Sequence, residues 1–358
     1  MSRRGLFGSR MGAALLLLAV FASGCRQQHR EASAGGGGAP DKQVVLYCAV
    51  DREIAQDAID EFQKETGIRV LAKFDTEAAK AVGLVEAIRQ EKAHPACDVF
   101  WGGGAFFCQM LADEGCLTTL PGDLIAASGA APHDTAGHWL GFGAAYRVFI
   151  VNTNTLPPAS WPHSYRDLTD PRYKGHVGIA NPLFGGMAAH VSALFAKLGE
   201  RDGRQWLQGL KDNGCAICAG MADLKNRVAS GELWFGIVAT DDAYVAMEGG
   251  KPVTVVYPDQ GPGQTGCLNG YQPVALVAAG PHPKAAETLV RFLATTRIER
   301  ILADGPGQNV GMLPESVARD VRPGWIPRGV KTMQVDWSQA VRAYPVATRA
   351  IKEILFNQ

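Results

Sequence analysis

Short apolar runs alternate with amphipathic stretches in the first part of the chain, a pattern that predicts strands and helices in turn. Residues 44–47 form a run typical of a buried strand, and further strands are predicted at 68–74 and 98–101. Gly67 is placed to end the helix after the first strand in the left-handed conformation. That helix should bury one face, made of Ile54, Ala55, Ala58, Ile59 and Phe62.

A second helix is predicted between the next two strands. Asp75 and Thr76 are suited to cap it, and it should run to about Lys92. Strands that alternate with helices indicate a mainly parallel sheet with crossover helices. The same order returns as a strand at 176–180, a helix at 188–198 and a strand at 233–238.

Two long extended segments, 141–152 and 271–278, flank this second block. They predict an α/β protein of two lobes joined by two crossing strands, each lobe holding a mainly parallel sheet with flanking helices. The lobes are expected to comprise 44–143 plus 266–302, and 144–265 plus 303–358. In such sheets the carboxyl ends of the strands face the ligand crevice, so the loops there should meet in one cleft.

The first residues have the layout of an export signal, residues 1–24. Arginines precede the apolar run 11–21, and small residues lead to Cys25. A Cys at this point resembles the bacterial lipobox, in which it is lipidated and becomes the mature N-terminus. The alternative is a plain secretory signal with an incidental Cys. Residues 26–43, rich in glycine, are predicted to be a tether spanning about 20–25 Å as a flexible coil.

The composition describes an ordinary globular protein, with 47% hydrophobic residues and no net charge. No basic stripe indicates nucleic acid, and no later segment is long and apolar enough to cross a membrane. Eight cysteines are present, so seven remain if Cys25 carries a lipid. An odd number excludes complete pairing within one chain. Cys215 and Cys218 have CxxC spacing, for which we weigh a structural disulfide or buried thiols against a redox or metal site.

Several segments, in their shared order, closely resemble bacterial ABC-transporter solute-binding proteins of the extracellular family 1 type, which includes ferric-iron-binding proteins. The matching segments are 47–51, 75–84, 98–101, 170–175, 179–182, 230–236, 240–243, 251–258 and 281–287. The resemblance implies a type II periplasmic-binding-protein clamshell that closes on a small solute and delivers it to an inner-membrane permease. It also implies a periplasmic or cell-envelope location and a monomer without a cofactor.

Two departures from the family affect the expected ligand. Iron-binding relatives carry adjacent tyrosines in the loop that corresponds to 240–243. In this chain Tyr244 is the only tyrosine in that loop. Relatives also often place polar side chains where this chain has Gly102–Gly104 and Met221–Ala222. Ferric iron or its complex remains the family ligand, and small oxyanions, sugar phosphates or other polar organic solutes become alternatives. Tyr244, Asp241 and Asp242 would be metal ligands only for a cationic solute.

Each candidate ligand-binding residue has a structural alternative. Asp241 and Asp242 either meet a cation, polyol or amine, or stabilise a helix start. Gly185 and Gly186 either present N–H groups to an anion or form a tight turn. Trp101 either stacks on the ligand or belongs to the core. The remaining candidates come from the converging loops and the family pattern: Asp51, Thr76, Gly102, Gly103, Asn181, Thr240, Tyr244 and, near the hinge, Gln308.

The lack of familiar catalytic motifs argues against an enzyme. The sequence has no GxSxG elbow, no GxxxxGK[ST] loop and no HExxH pair. The alternative to a solute-binding protein is a lipid-anchored redox or metal-binding protein that uses Cys215 and Cys218.

Overall fold

The computed structural model describes residues 42–75 and 81–358. Its strands are β1 (Gln43–Cys48), β2 (Arg69–Phe74), β3 (Val99–Trp101), β4 (Leu117–Thr118), β5 (Trp139–Leu140), β6 (Ala144–Asn152), β7 (Val177–Ala180), β8 (Ala216–Cys218), β9 (Phe235–Ala239), β10 (Val253–Val256), β11 (Asn269–Tyr271) and β12 (Val274–Val277). The signal, Cys25 and residues 26–41 of the predicted tether lie outside the described residues. The end of the predicted tether is corrected, since Gln43 already pairs with Arg69 as the first residue of β1.

The described helices flank these strands, and none has the length and apolarity needed to cross a membrane. They are α1 (Arg52–Thr66), α2 (Val82–Gln90), α3 (Ala105–Asp113), α4 (Gly122–Ala127), α5 (Gly185–Asp212), α6 (Met221–Ala229), α7 (Thr240–Glu248), α8 (Pro283–Leu293), α9 (Thr296–Asp304), α10 (Pro314–Ala318) and α11 (Trp337–Leu355).

The strands form two mixed sheets, ordered β2-β1-β3-β12-β4 with β5 beside β12, and β10-β6-β9-β7-β8 with β11 beside β6. Three parallel strands form one side of each sheet: β1 pairs with β2 and β3, and β7 pairs with β8 and β9. Antiparallel β12 and β6 complete them. The predicted α/β class with two sheets and flanking helices is therefore confirmed. The residue boundaries of the two lobes stay a prediction.

The amphipathic pattern of the first helix is confirmed. Its five predicted apolar residues are all buried in α1. Gly67 ends the helix with φ 69°, and its N–H donates to the carbonyl of Gln63. The start of the second helix differs from the prediction. Helix α2 begins at Val82 because Ala81 has φ 70°, which interrupts helical geometry, so Asp75 is too far upstream to cap it.

Two predicted elements have different lengths in the structure. The helix expected at 188–198 extends over Gly185–Asp212, with a break where Gly199 has φ 81°. The segment 271–278 divides around Pro273, so that β11 joins the second sheet while β12 joins the first. Proline has no N–H to donate to a ladder, which suits it to this point of exchange. The chain therefore crosses between the sheets here.

Helix α11 packs along α5 and reaches α3 beside the first sheet. The ring centroids of Phe106 on α3 and Tyr344 on α11 lie 5.4 Å apart, edge to face. Such aromatic pairs add about 0.5–1.5 kcal/mol beyond burial of their area. The C-terminal helix thus contacts elements that flank both sheets.

Candidate functional site

A cavity of about 150 Å³ lies where loops from both sheets meet. The first sheet contributes Ala49–Asp51, which follow β1, and Gly103–Gly104, which follow β3. The second contributes the loop after β7, the starts of α6 and α7, and strand β11. A parallel strand followed by a helix directs its carboxyl end toward such a crevice. The cavity has the size of a site for a small solute.

Seven of the predicted ligand-binding residues line this cavity together. They are Asp51, Gly103, Asn181, Gly185, Gly186, Asp241 and Asp242. The two glycines are the first residues of α5, and the two aspartates lie in the first turn of α7. Neither aspartate is the N-cap of α7, since that position is Ala239. Their negative charge at a helix start is still favourable, by about 0.3–1 kcal/mol at a surface.

Trp101 and Gly102 do not line the cavity. Trp101 is fully buried and stacks on Phe142, with ring centroids 6.3 Å apart, so its surroundings are those of a core residue. A Cβ at Gly102 would lie 2.7 Å from Cγ2 of Val50, and the residue has φ 97°. Only glycine fits that close approach, which brings the ends of β1 and β3 together.

Thr240, Tyr244 and Gln308 also lie outside the lining. The hydroxyl of Thr240 accepts a hydrogen bond from the backbone N–H of Tyr146 at 3.2 Å. Tyr244 stacks on Trp325, and the Trp325 indole in turn donates to Oε1 of Gln308 at 2.7 Å. The Thr240 contact joins α7 to β6, whereas the contacts of Trp325 join α7 to the C-terminal segment. Thr76 belongs to residues 76–80, which lie outside the described part of the chain.

Arg147 is a cavity residue that the sequence analysis missed. It is the one charged residue in β6 and has mostly apolar neighbours in sequence. A lone charge in an apolar strand could have identified it as a candidate. Its buried Nε has no hydrogen-bond partner in the described part of the chain. No carboxylate of those residues forms an ion pair with it.

The guanidinium of Arg147 lies against the start of α5. A Cβ at Gly186 would come within 2.2 Å of its Nη2 atom, closer than any side chain allows. The N-cap residue Phe184 has no side-chain hydrogen bond to the first N–H groups of the helix. The positive end of the helix dipole and a guanidinium therefore meet at one place in the cavity.

Two buried acceptors also line the cavity. Among the described residues, neither Oδ1 of Asp241 nor Oδ1 of Asn269 has a hydrogen-bond partner. Asn269 is 3% exposed and lies at the start of β11, where sequence analysis placed no candidate. Buried acceptors without partners cost about 1–3 kcal/mol each. Groups that donate hydrogen bonds would satisfy them.

His190 lies on α5, is 1% exposed and does not line the cavity. Burial, together with the nearby positive charge of Arg147, lowers the pKa of its imidazole to about 3. The ring therefore stays neutral at ordinary pH. It contacts the Tyr165 ring edge to face, with centroids 4.6 Å apart.

The seven described cysteines are free thiols, and six of them are buried. Burial raises the pKa of the Cys215 thiol to about 12 and also raises the pKa of Cys218. Thiols with raised pKa values are poor nucleophiles and metal ligands at neutral pH. Within the described residues, no group of three or more His, Cys, Asp or Glu side chains is placed to hold a metal ion. The redox or metal alternative finds no support.

Comparisons with known proteins agree with the geometry. The chain is 25% identical over 266 residues to the Fe(3+)-binding periplasmic protein of Serratia marcescens, covering 73% of this chain and 76% of the relative. Iron-bound HitA from Pseudomonas aeruginosa has a TM-score of 0.76 at 22% identity, covering 86% of this chain and 99% of that one. AfuA from Actinobacillus pleuropneumoniae, bound to fructose-6-phosphate, has a TM-score of 0.72 at 22% identity, covering 87% and 98%.

The family model described as bacterial extracellular solute-binding protein matches residues 57–321, most of the chain. The match confirms the resemblance found in the sequence and the predicted role as the substrate-binding component of an ABC importer. It also supports action outside the cytoplasmic membrane, which is the periplasm for the Serratia relative. The chain belongs to the bacterial extracellular solute-binding protein family.

Proposed function

We propose that this protein captures a small polar solute in the cavity between its two sheets and delivers it to an inner-membrane permease. The observation that carries the proposal is the cavity itself, since its lining combines loops from both sheets. A ligand that contacts both sides stabilises the closed arrangement, which is the hinge closure typical of periplasmic binding proteins. Asp51 and Gly103 would contact the solute from one side, and Asn181, Gly185, Gly186, Asp241 and Asp242 from the other.

The described side chains that line the cavity do not include a pair of tyrosines that could hold a ferric ion, so they favour another solute. The Serratia relative and HitA are named for iron. In this chain Tyr244 stacks on Trp325 instead of lining the cavity, and Tyr271 is the tyrosine among the lining residues. Three aspartates lie in the lining, but the described residues place no three such groups to hold a bare ion, so iron is tested as its citrate complex. AfuA, with its sugar phosphate, supports an anionic organic solute as the other candidate.

We further propose that lipidated Cys25 anchors the protein, with the residues between it and β1, 26–42, as its tether. A flexible coil of that length spans about 20–25 Å, which keeps the binding domain close to the membrane. The proposed receptor is a monomer without catalytic activity. Replacing Cys25 with Ser should release it from the membrane fraction into the soluble periplasmic fraction. Wild-type protein found in the soluble fraction would contradict the anchor and leave the binding role untouched.

A thermal-shift screen of the full-length protein tests solute capture. The solutes are ferric citrate, phosphate, sugar phosphates and amino acids. A solute present at a hundred times its dissociation constant should add about 2.7 kcal/mol of stability. Ala49→Trp fills part of the cavity from the first sheet and should abolish the shift. If no solute stabilises the protein, or if Ala49→Trp responds as the wild type does, the proposed site is wrong.

A further inference from the structure

We propose that the solute is an organic anion whose other end donates hydrogen bonds. Its oxyanion lies against Arg147 and the start of α5, and its hydroxyl or ammonium donors face Asp241 and Asn269. The inference rests on the proposed solute-binding function and names the substrate class of the same site. It assigns Arg147 as the residue that selects for charge.

The first step concerns the charge of Arg147. Arginine stays protonated at any ordinary pH, and its planar fork matches the oxygens of phosphate or carboxylate. Its Nε is buried without a partner among the described residues, and those residues supply it with no ion pair. A buried donor without a partner is costly, so an acceptor from the solute would be strongly favoured here.

The second step concerns the helix start beside it. Gly186 leaves the space that Nη2 of Arg147 occupies, because a Cβ there would lie 2.2 Å away. The first N–H groups of α5 are not capped by the side chain of Phe184. Helix N-termini favour anions through these free donors and the helix dipole. Both features favour negative charge at the same end of the cavity.

The third step concerns two acceptor atoms in the lining, which require hydrogen-bond donors from the solute. Oδ1 of Asp241 and Oδ1 of Asn269 are buried in the lining without donors from the described residues. A simple anion would leave them unsatisfied, and a bare metal cation would be repelled by Arg147. A solute with an oxyanion at one end and hydroxyl or ammonium groups at the other satisfies all of these atoms together.

Calorimetry on the full-length protein compares each two-ended probe with its halves. One set is fructose 6-phosphate, fructose and inorganic phosphate, and the other is serine, acetate and ethanolamine. At least one of the two-ended probes should bind about tenfold or more tightly than either half, which is the effect of one hydrogen bond to a charged group. The two sets distinguish a phosphate from a carboxylate. Equal binding of a half, or no binding of either two-ended probe, overturns the inference.

Variants test the assigned residue with the probe that binds. Arg147→Met should weaken binding at least about tenfold, and Arg147→Lys should fall between it and the wild type, because lysine keeps the charge but loses the fork. Arg201→Met is the matched control, since Arg201 has a side chain 92% exposed and should leave binding unchanged. Unchanged affinity in Arg147→Met or in Arg147→Lys overturns the assignment.

Failure of this inference is distinguishable from failure of the proposed function. Stabilisation by ferric citrate, without binding of either two-ended probe or of citrate alone, would overturn the inference of a metal-free organic anion and leave solute capture standing. If Arg147→Met no longer melts cooperatively, the assignment is tested with Arg147→Lys alone, because lysine is a smaller change and keeps the position charged.

Discussion

Gly186 and Arg147 fit against each other so closely that a single methyl group would separate them. A Cβ at Gly186 would lie 2.2 Å from Nη2 and 3.0 Å from Cζ of Arg147. The guanidinium is the far end of a flexible side chain, so it would move more readily than the helix. The lack of a side chain at Gly186 therefore determines the position of the Arg147 guanidinium in the cavity.

Gly186→Ala should weaken binding of the anionic probe about tenfold or more, because the guanidinium moves away from the oxyanion. The free energy of unfolding should change by less than about 1 kcal/mol, since alanine favours a helix over glycine by up to that amount. Calorimetry and urea unfolding measure the two effects. Gly122→Ala is the control, because a Cβ there meets nothing within 4 Å. Unchanged affinity in Gly186→Ala would contradict the role of this contact.

Asp241→Asn should weaken solute binding about tenfold while leaving the melting temperature of the solute-free protein nearly unchanged. The charged acceptor is lost, and the helix start of α7 loses only about 0.3–1 kcal/mol. Glu53→Gln is the matched control, because Glu53 is an exposed acidic residue in the first turn of α1 and is not among the lining residues. A fall in melting temperature without a change in affinity would show that Asp241 stabilises the helix and does not contact the solute.

Glu299→Ala should lower the free energy of unfolding by at least about 3 kcal/mol. The carboxylate is fully buried and accepts from three backbone N–H groups: Gly143 at 2.8 Å, Met312 at 2.7 Å and Leu313 at 3.1 Å. Each N–H left without a partner costs about 1–3 kcal/mol.

Urea unfolding followed by tryptophan fluorescence measures this loss. Glu287→Ala removes an exposed carboxylate that pairs with Arg291 on α8, and should cost less than about 1 kcal/mol. A loss of similar size in both variants would mean that the three contacts of Glu299 are not the cause.

Stability should fall as the pH is lowered from about 6.5 towards about 3, and His190 should contribute to the fall. The folded-state pKa of His190 is lowered to about 3 from an ordinary value of 6.5, with burial as the main cause. Between these values the unfolded chain binds a proton that the folded chain does not. The stability is fully present above pH 6.5 and is lost by up to about 1.4 kcal/mol per pH unit below it.

His190→Phe should flatten that pH dependence while keeping an aromatic ring against Tyr165. It should not lower the melting temperature at pH 7.5, because both nitrogens of the histidine are buried without partners among the described residues. His94→Gln, at an exposed position, should leave the pH profile of the wild type unchanged. Parallel profiles for wild type and His190→Phe would contradict this account of the fall.

The sequence alone determined the order of the elements and much of the cavity. Apolar periodicity located α1 and its buried face, and the carboxyl-end rule brought Asp51, Asn181, Gly186 and Asp241 to one place. These features depend on local spacing and on the direction of parallel strands, both of which are properties of the chain itself.

Only the tertiary structure decided which side chains meet. Trp101 ends a strand beside the cavity, yet its ring is buried in the core and stacks on Phe142. Arg147 reads as an isolated charge in an apolar strand, and only the packing of β6 beside the start of α5 places it in the cavity. Contacts between residues distant in sequence depend on packing, which neither periodicity nor propensity encodes. Export and a lipid anchor are predicted from the first residues alone, whereas the proposed charge selectivity rests on contacts that only the fold creates.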